Sequence, residues 1–121
     1  MAAETRFEHA DLTILLTETA REATMSWRGT SDARDPKAFL EPVFSRVIDK
    51  VKGRDLTIDF TGLEFMNSST VSPIIALLKQ LNENGIKSHV VFNNEDWQVV
   101  HMRCLRTIAT VLRNVEVRGT A

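Results

Sequence analysis

The chain has 121 residues, of which 43% are hydrophobic and one is cysteine. This length fits one domain whose core needs no disulfide or structural metal. Fifteen basic side chains nearly balance sixteen acidic ones, which excludes the strongly basic surface typical of nucleic-acid-binding proteins. One cysteine excludes an internal disulfide and a four-cysteine metal site. No apolar run approaches the roughly 18 residues that cross a bilayer, so we expect a cytoplasmic protein without membrane insertion.

The amino-terminal third of the sequence predicts a strand hairpin. Residues 1–11 are polar and are expected to form a flexible or edge extension before a single domain at 12–121. The runs at 12–18 and 22–28 are rich in apolar and β-branched residues, and the second alternates strictly between apolar and polar side chains. A short polar turn between two such runs indicates an antiparallel hairpin, and residues 29–35 then read as a loop.

Three amphipathic segments follow, separated by strands. The first carries apolar residues at helical spacing, but Pro42 predicts a break, so we expect only a turn at 36–40 and a regular helix over 41–52. A strand at 55–60, a wide-faced apolar helix ending at Gly85 and a strand at 86–92 come next. The third helix opens at Asn94 and places Cys104 on its apolar stripe, and residues 115–117 offer a last edge strand.

The resulting order is β-β-α-β-α-β-α. Strand–helix–strand repeats imply right-handed crossovers and parallel strands, whereas the hairpin adds an antiparallel one. We therefore predict a single α/β domain with a mixed sheet of four or five strands and three helices. In such sheets function collects beyond the carboxyl ends of the parallel strands, which here are followed by residues 29–35, 64–72 and 93–96.

The middle of these three segments is crowded with small polar residues just before the wide-faced helix: Asn67, Ser68, Ser69, Thr70 and Ser72. One of them is needed as the helix N-cap, and Pro73 fits best if that cap is Ser69 or Thr70. The others are in excess of what capping needs. A hydroxyl at a helix start also suits phosphorylation, because free N–H groups and the helix dipole favour an anion there. Capping alone and a phosphoacceptor site both remain open at this point.

The stretch DLTIDFTGLEFMNSSTVSPIIALLKQL resembles the core of STAS domains, the family of the anti-sigma-factor antagonists. The resemblance implies a STAS-like fold over about residues 12–112. It also implies that a partner kinase phosphorylates the serine in this turn, which is Ser68 here, with Ser69 as the second candidate. Asn67 stands where the family usually has Asp, and Thr70 and Ser72 replace two glycines.

The resemblance predicts a non-enzymatic regulatory phosphoprotein. Its partners would be a cognate serine kinase or anti-sigma-like protein and a phosphatase, and homo-oligomers are left open. Two alternatives remain, an unphosphorylated STAS scaffold and a regulator of a signalling enzyme such as a nucleotide cyclase. Residues expected to contact the partner are Asn67, Thr70, Ser72, Asn93 and Asn94.

The sequence offers no chemistry for an active site. The Gly-x-Ser-x-Gly elbow of serine hydrolases is absent around Ser68. Three scattered histidines make no metal-ligand pattern, and no glycine-rich phosphate loop occurs. We therefore expect no catalytic residue, no metal and no cofactor.

Overall fold

The computed structural model describes residues 3–93 and 96–120, apart from the side-chain surroundings of residues 96–102 and 120. Its elements are, in chain order, β1 (Ala3–His9), β2 (Leu12–Glu18), β3 (Glu22–Ser31), α1 (Pro36–Val51), β4 (Asp55–Asp59), β5 (Leu63–Met66), α2 (Ser68–Glu83), β6 (Ser88–Asn93), α3 (Asp96–Ala109) and β7 (Val115–Thr120).

The described strands form one mixed sheet of seven, in the order β1-β2-β3-β4-β6-β7, with β5 paired to the end of β3. β1, β2 and β3 are antiparallel neighbours, and β3, β4, β6 and β7 run parallel. The predicted α/β class and three helices are confirmed, but the prediction of four or five strands was too low. The two strands that were not predicted are β1 and β5. β1 carries charged residues on its exposed side and β5 has only four residues, so neither shows the apolar alternation by which a strand is recognised.

All three helices cover the same face of the sheet. The strands from β3 to β7 advance in one direction, so right-handed crossovers bring each connecting helix to that face. One core lies beneath the helices. At its centre the Trp27 ring of β3 lies 5.1 Å from Phe60 and 5.9 Å from Phe44 of α1, measured between ring centroids.

Within the described residues the opposite face of the sheet carries no helix, and its composition explains why it can remain open. Alternate residues of the central strands point away from the core and are mostly polar: Thr13, Thr24, Ser26, Thr57, Asp59 and His89. Such side chains hydrogen-bond with water, whereas their neighbours in the same strands are buried apolar residues. The period-two pattern thus places one face of the sheet in water and the other against the core.

A close backbone approach at Gly29 shapes the end of β3. Gly29 has φ +85°, and a Cβ there would lie 2.0 Å from the Asp11 carbonyl oxygen in the β1–β2 turn. The next residue, Thr30, donates its backbone N–H to that oxygen at 3.0 Å. The register shifts between Gly29 and Thr30, after which β3 continues to Ser31 beside β5. Residues 29–31, predicted as a loop, therefore extend the strand.

Helix α1 is continuous from Pro36 to Val51, which corrects the prediction of a turn followed by a helix from residue 41. Pro36 occupies the first turn, where its missing N–H is no loss. Pro42 lies inside the helix and cannot donate to the Ala38 carbonyl. Burial of the apolar stripe that includes Leu40 and Val43 on both sides of Pro42 outweighs that missing bond.

Helix α3 departs from its predicted orientation. Leu105 is fully buried, but Cys104 is exposed and Ile108 is only partly buried. The prediction that Cys104 belongs to the core is wrong. The apolar stripe of α3 is wider than the surface that the sheet and α2 cover, so one edge of the stripe remains in solvent.

Candidate functional site

The carboxyl ends of β3, β5 and β6 meet at one edge of the sheet, as parallel topology predicts. β5 is followed by Asn67, and β6 ends at Asn93. The Asn93 side-chain amide donates to the Thr61 carbonyl at 2.7 Å, which ties β6 to the turn after β4. Asn94, also predicted to contact a partner, lies outside the described residues.

Asn67 caps helix α2 and uses its whole side chain to do so. Its Oδ1 accepts the backbone N–H of Thr70 at 3.1 Å and the Thr70 hydroxyl at 2.7 Å. Its Nδ2 donates to the Ala33 carbonyl at 2.9 Å, and its backbone N–H donates to the Ser31 carbonyl at 2.8 Å. An aspartate could accept the first two bonds but has no N–H for Ala33. Asparagine thus fits a cap that also holds the β3–α1 loop.

A buried pair of hydroxyls lies directly behind this cap. Ser31 Oγ and Thr70 Oγ1 are 2.8 Å apart, and the two residues are 3% and 0% exposed. The amide oxygen of Asn67 can only accept, so the Thr70 hydroxyl donates its one proton to that oxygen. The Ser31 hydroxyl therefore donates to Thr70 Oγ1. This proton order satisfies both buried hydroxyls and locks the start of α2 against the end of β3.

Ser68 and Ser69 are the first two residues of α2, and both are exposed. Within the described part of the chain, neither hydroxyl makes a hydrogen bond. The helix begins two to three residues earlier than the position of Pro73 suggested, so the expectation of a Ser69 or Thr70 cap is wrong. Because Asn67 is the cap, neither serine is needed for it.

The remaining predicted residues lie at different depths. Thr70, predicted as a partner contact, is fully buried and affects the surface only through its bonds to Asn67 and Ser31. Ser72 is exposed, and with Ser68 and Ile75 it recurs at i, i+4 and i+7 along α2. These three residues therefore share the outward face of the helix.

Sequence reasoning missed two contributors to this edge. The sequence predicts a loop at Ser31, because the pairing of this residue depends on the register shift at Gly29 and not on local pattern. Phe65 of β5 is 44% exposed and lies three residues before Ser68. Exposed aromatic side chains are frequent anchors in protein interfaces, and the apolar residues Leu63, Phe65 and Met66 are the signal that the sequence offers.

Among the described residues, no group of three His, Cys, Asp or Glu side chains is close enough to hold a metal ion. None of the helices described has the length and apolar character required to cross a membrane.

Comparison with known protein families identifies the STAS domain in this chain. The model for the STAS domain matches residues 24–109, which is well over half of the chain. A comparison with curated protein sequences gave no significant match.

Solved structures show the same fold over nearly the whole chain. SiaC of Pseudomonas aeruginosa aligns with a TM-score of 0.57 and 16% identity, covering 98% of this chain and 99% of that one. A chain in the complex of the diguanylate cyclase SiaD with its activator SiaC, from the same organism, aligns at 0.55 and 15%, covering 96% and 99%. A DUF3478 family protein with a SpoIIAA-like fold from Shewanella loihica PV-4 aligns at 0.50 and 16%, covering 98% and 84%.

Proposed function

The chain belongs to the STAS domain family, and we propose that it is a protein-binding regulator of a signalling enzyme, controlled by phosphorylation of Ser68. The partner class is suggested by SiaC, which is described as the activator of a diguanylate cyclase and aligns with both chains almost complete. In this proposal the chain supplies a binding surface and no catalytic residue, and it acts in the cytoplasm.

One observation supports Ser68 as the phosphoacceptor. Asn67 and Thr70 perform the capping, so the exposed Ser68 hydroxyl has no structural bond that a kinase would have to break. A phosphate at the first helical position would also lie near the free N–H groups of the helix start. That position stabilises an anion by about 0.3–1 kcal/mol at an exposed site, so phosphorylation requires no refolding.

The effect on binding follows from charge. Phosphorylation adds about −1.5 to −2 at one end of the helical layer. A partner surface shaped for the neutral serine would have to bury that charge unpaired, at a cost on the order of 3–5 kcal/mol. This corresponds to a loss in affinity of roughly a hundredfold to a few thousandfold. A serine kinase and a phosphatase would then set the fraction of chain that binds.

Ser69 is the second candidate for the same role. Both serines are exposed, but successive helical residues point about 100° apart. Ser68 shares the outward face with Ser72 and Ile75, whereas Ser69 is turned toward the side of α2 that adjoins α1. The geometry therefore favours Ser68 for a partner that lies on the outward face.

The experiment is mass spectrometry of the protein purified from its native host, with its co-purifying partners. We expect one phosphate on Ser68, its loss in Ser68→Ala, and its persistence in Ser69→Ala. A nucleotide cyclase that co-purifies only with the unphosphorylated form would support the full proposal, whereas an anti-sigma-like kinase would direct the same switch to transcription. An unmodified chain under all growth conditions would leave the scaffold alternative.

A further inference from the structure

A shallow groove between α2 and α3 opens on the outer surface of the helical layer. Its described lining consists of Ile75 from α2 and Arg103, Cys104, Thr107 and Ile108 from α3. The lining surface is almost entirely apolar, because the edge of the α3 stripe that the core does not cover meets Ile75 here. An apolar strip with a polar rim is typical of a protein-binding surface.

The charged side chains that the structure describes along this groove are basic. Between residues 68 and 82 of α2, and between 97 and 113 in and after α3, the sequence contains no acidic residue. Arg103 lines the groove, and Lys79 lies one turn beyond Ile75 on α2, both exposed. The chain as a whole has a net charge of −1, so this basic rim is a local feature.

We propose that the groove binds an amphipathic helix of a protein partner, with apolar residues inserted against Ile75, Cys104 and Ile108 and acidic residues beside Arg103 and Lys79. A helix fits because the groove runs between two helices and lies a layer away from the sheet edges, where an added strand would pair. A second copy bound through the same face would place Arg103 and Lys79 opposite the same two basic residues, and these like charges would repel.

This inference depends on the partner named in the proposed function being a protein, but it does not depend on phosphorylation. It does give the switch a direction. Ser68 lies on the same face of α2 as Ile75, two turns or about 10 Å away along the axis. A phosphate there would repel an acidic helix, so we expect phosphorylation to weaken binding at least tenfold.

The test places a benzophenone photo-crosslinker on Thr107→Cys, an exposed polar position of the groove lining, after Cys104, the only cysteine in the chain, is replaced by Ser. The full chain with Ser68→Ala is labelled, crosslinked in lysate of the native host, and the joined peptide is located by mass spectrometry. We expect a partner segment with apolar residues at i, i+3, i+4 and i+7 and mainly Asp or Glu between them. The control is Cys104→Ser with Ser45→Cys, which places the same probe on an exposed position of α1.

Charge reversal then tests the rim. Arg103→Glu and Lys79→Glu should each weaken binding of the crosslinked partner at least tenfold in calorimetric titration, whereas Arg113→Glu, beyond the end of α3, should change it less than twofold. A crosslinked segment that is basic or not helical, a second copy of this chain, crosslinks to lipid only, or no crosslink from position 107 would each overturn the proposal. Absence of phosphate on Ser68 would instead overturn the switch and leave the groove intact.

Discussion

At the scale of single residues, the turn 67–70 is the most informative feature, because its neighbouring residues differ in their hydrogen bonds. Asn67 bonds to Ser31, Ala33 and Thr70, whereas Ser68 bonds to none of them. Asn67 therefore has a structural role, and the regulatory role that we propose belongs to its neighbour Ser68. A substitution of Asn67 should lower stability, whereas a substitution of Ser68 should affect binding and leave stability almost unchanged.

We expect Asn67→Ala to lower the free energy of unfolding by about 2–3 kcal/mol, because the helix loses its cap and the buried Thr70 hydroxyl loses its acceptor. Ser68→Ala should change it by less than about 0.5 kcal/mol, since no bond is removed. Urea denaturation followed by circular dichroism measures both. Equal losses in the two variants would show that Ser68 shares in the cap.

Gly29 allows a second residue-level prediction with a matched control. Gly29 and Gly53 have nearly the same positive φ, +85° and +82°, but only Gly29 has backbone within contact of an added Cβ. Gly53→Ala should cost about 1–2 kcal/mol for the left-handed conformation alone. Gly29→Ala should lower the free energy of unfolding by a further amount of at least about 1–3 kcal/mol, because the β1–β2 turn must move to make room for the added Cβ.

Thermal and urea denaturation of the two alanine variants give the comparison. The larger loss at Gly29 should be accompanied by weaker protection of the Thr30 amide from hydrogen exchange, since its bond to Asp11 depends on the close approach. Similar losses at both glycines would contradict the steric account of the register shift.

At the scale of elements, the helices show how tertiary packing overrides local preference. α1 runs through Pro42 because the buried stripe on both sides holds it in place. α2 likewise contains Pro73 within its second turn and keeps seven buried residues. Each proline removes one backbone bond, which packing against the sheet outweighs.

Pro42→Ala should therefore stabilise the protein by about 1–2 kcal/mol. The substitution restores an N–H for the Ala38 carbonyl and relieves the ring clash, and the greater freedom of the unfolded chain offsets part of that gain. Pro36→Ala is the control and should not stabilise, because Pro36 is in the first turn, where proline is favoured. Chemical denaturation compares them, and a destabilised Pro42→Ala would indicate a specific role for the proline ring.

At the scale of the whole molecule, the two ends of the sheet carry different features. The carboxyl ends of the parallel strands carry Ser68 and the cap. At the other end, Arg54 joins three elements: it donates to the Thr19 carbonyl at 2.8 Å, to the Lys50 carbonyl, and to Glu18 Oε1 at 3.1 Å. Glu18 is largely buried, with its side chain 11% exposed, so this pair is better protected from solvent than the surface ion pairs.

We expect Arg54→Ala to lower the free energy of unfolding by about 1–2 kcal/mol, because the β2–β3 turn, the end of α1 and the start of β4 lose their common link. Arg54→Lys should recover only part of the loss, since an ammonium cannot span the three acceptors as the guanidinium does. Partner affinity should remain unchanged in both variants. A loss of binding would show that the two ends are coupled.

The sequence by itself determined the α/β class, the three helices, the hairpin and the location of the polar turn at a helix start. All of these depend on periodicity and on residues close together in the chain, which local pattern records directly. The STAS resemblance quoted from residues 55–81 agrees with the family match over 24–109.

Only the tertiary structure decided which polar residue is the cap, that Ser31 lies behind it, and that Cys104 faces solvent. It also decided that β1 and β5 are strands. These features arise from a register shift, a helix orientation and pairings between distant segments. Their energies come from neighbours that the local sequence does not name, so composition and spacing could not fix them.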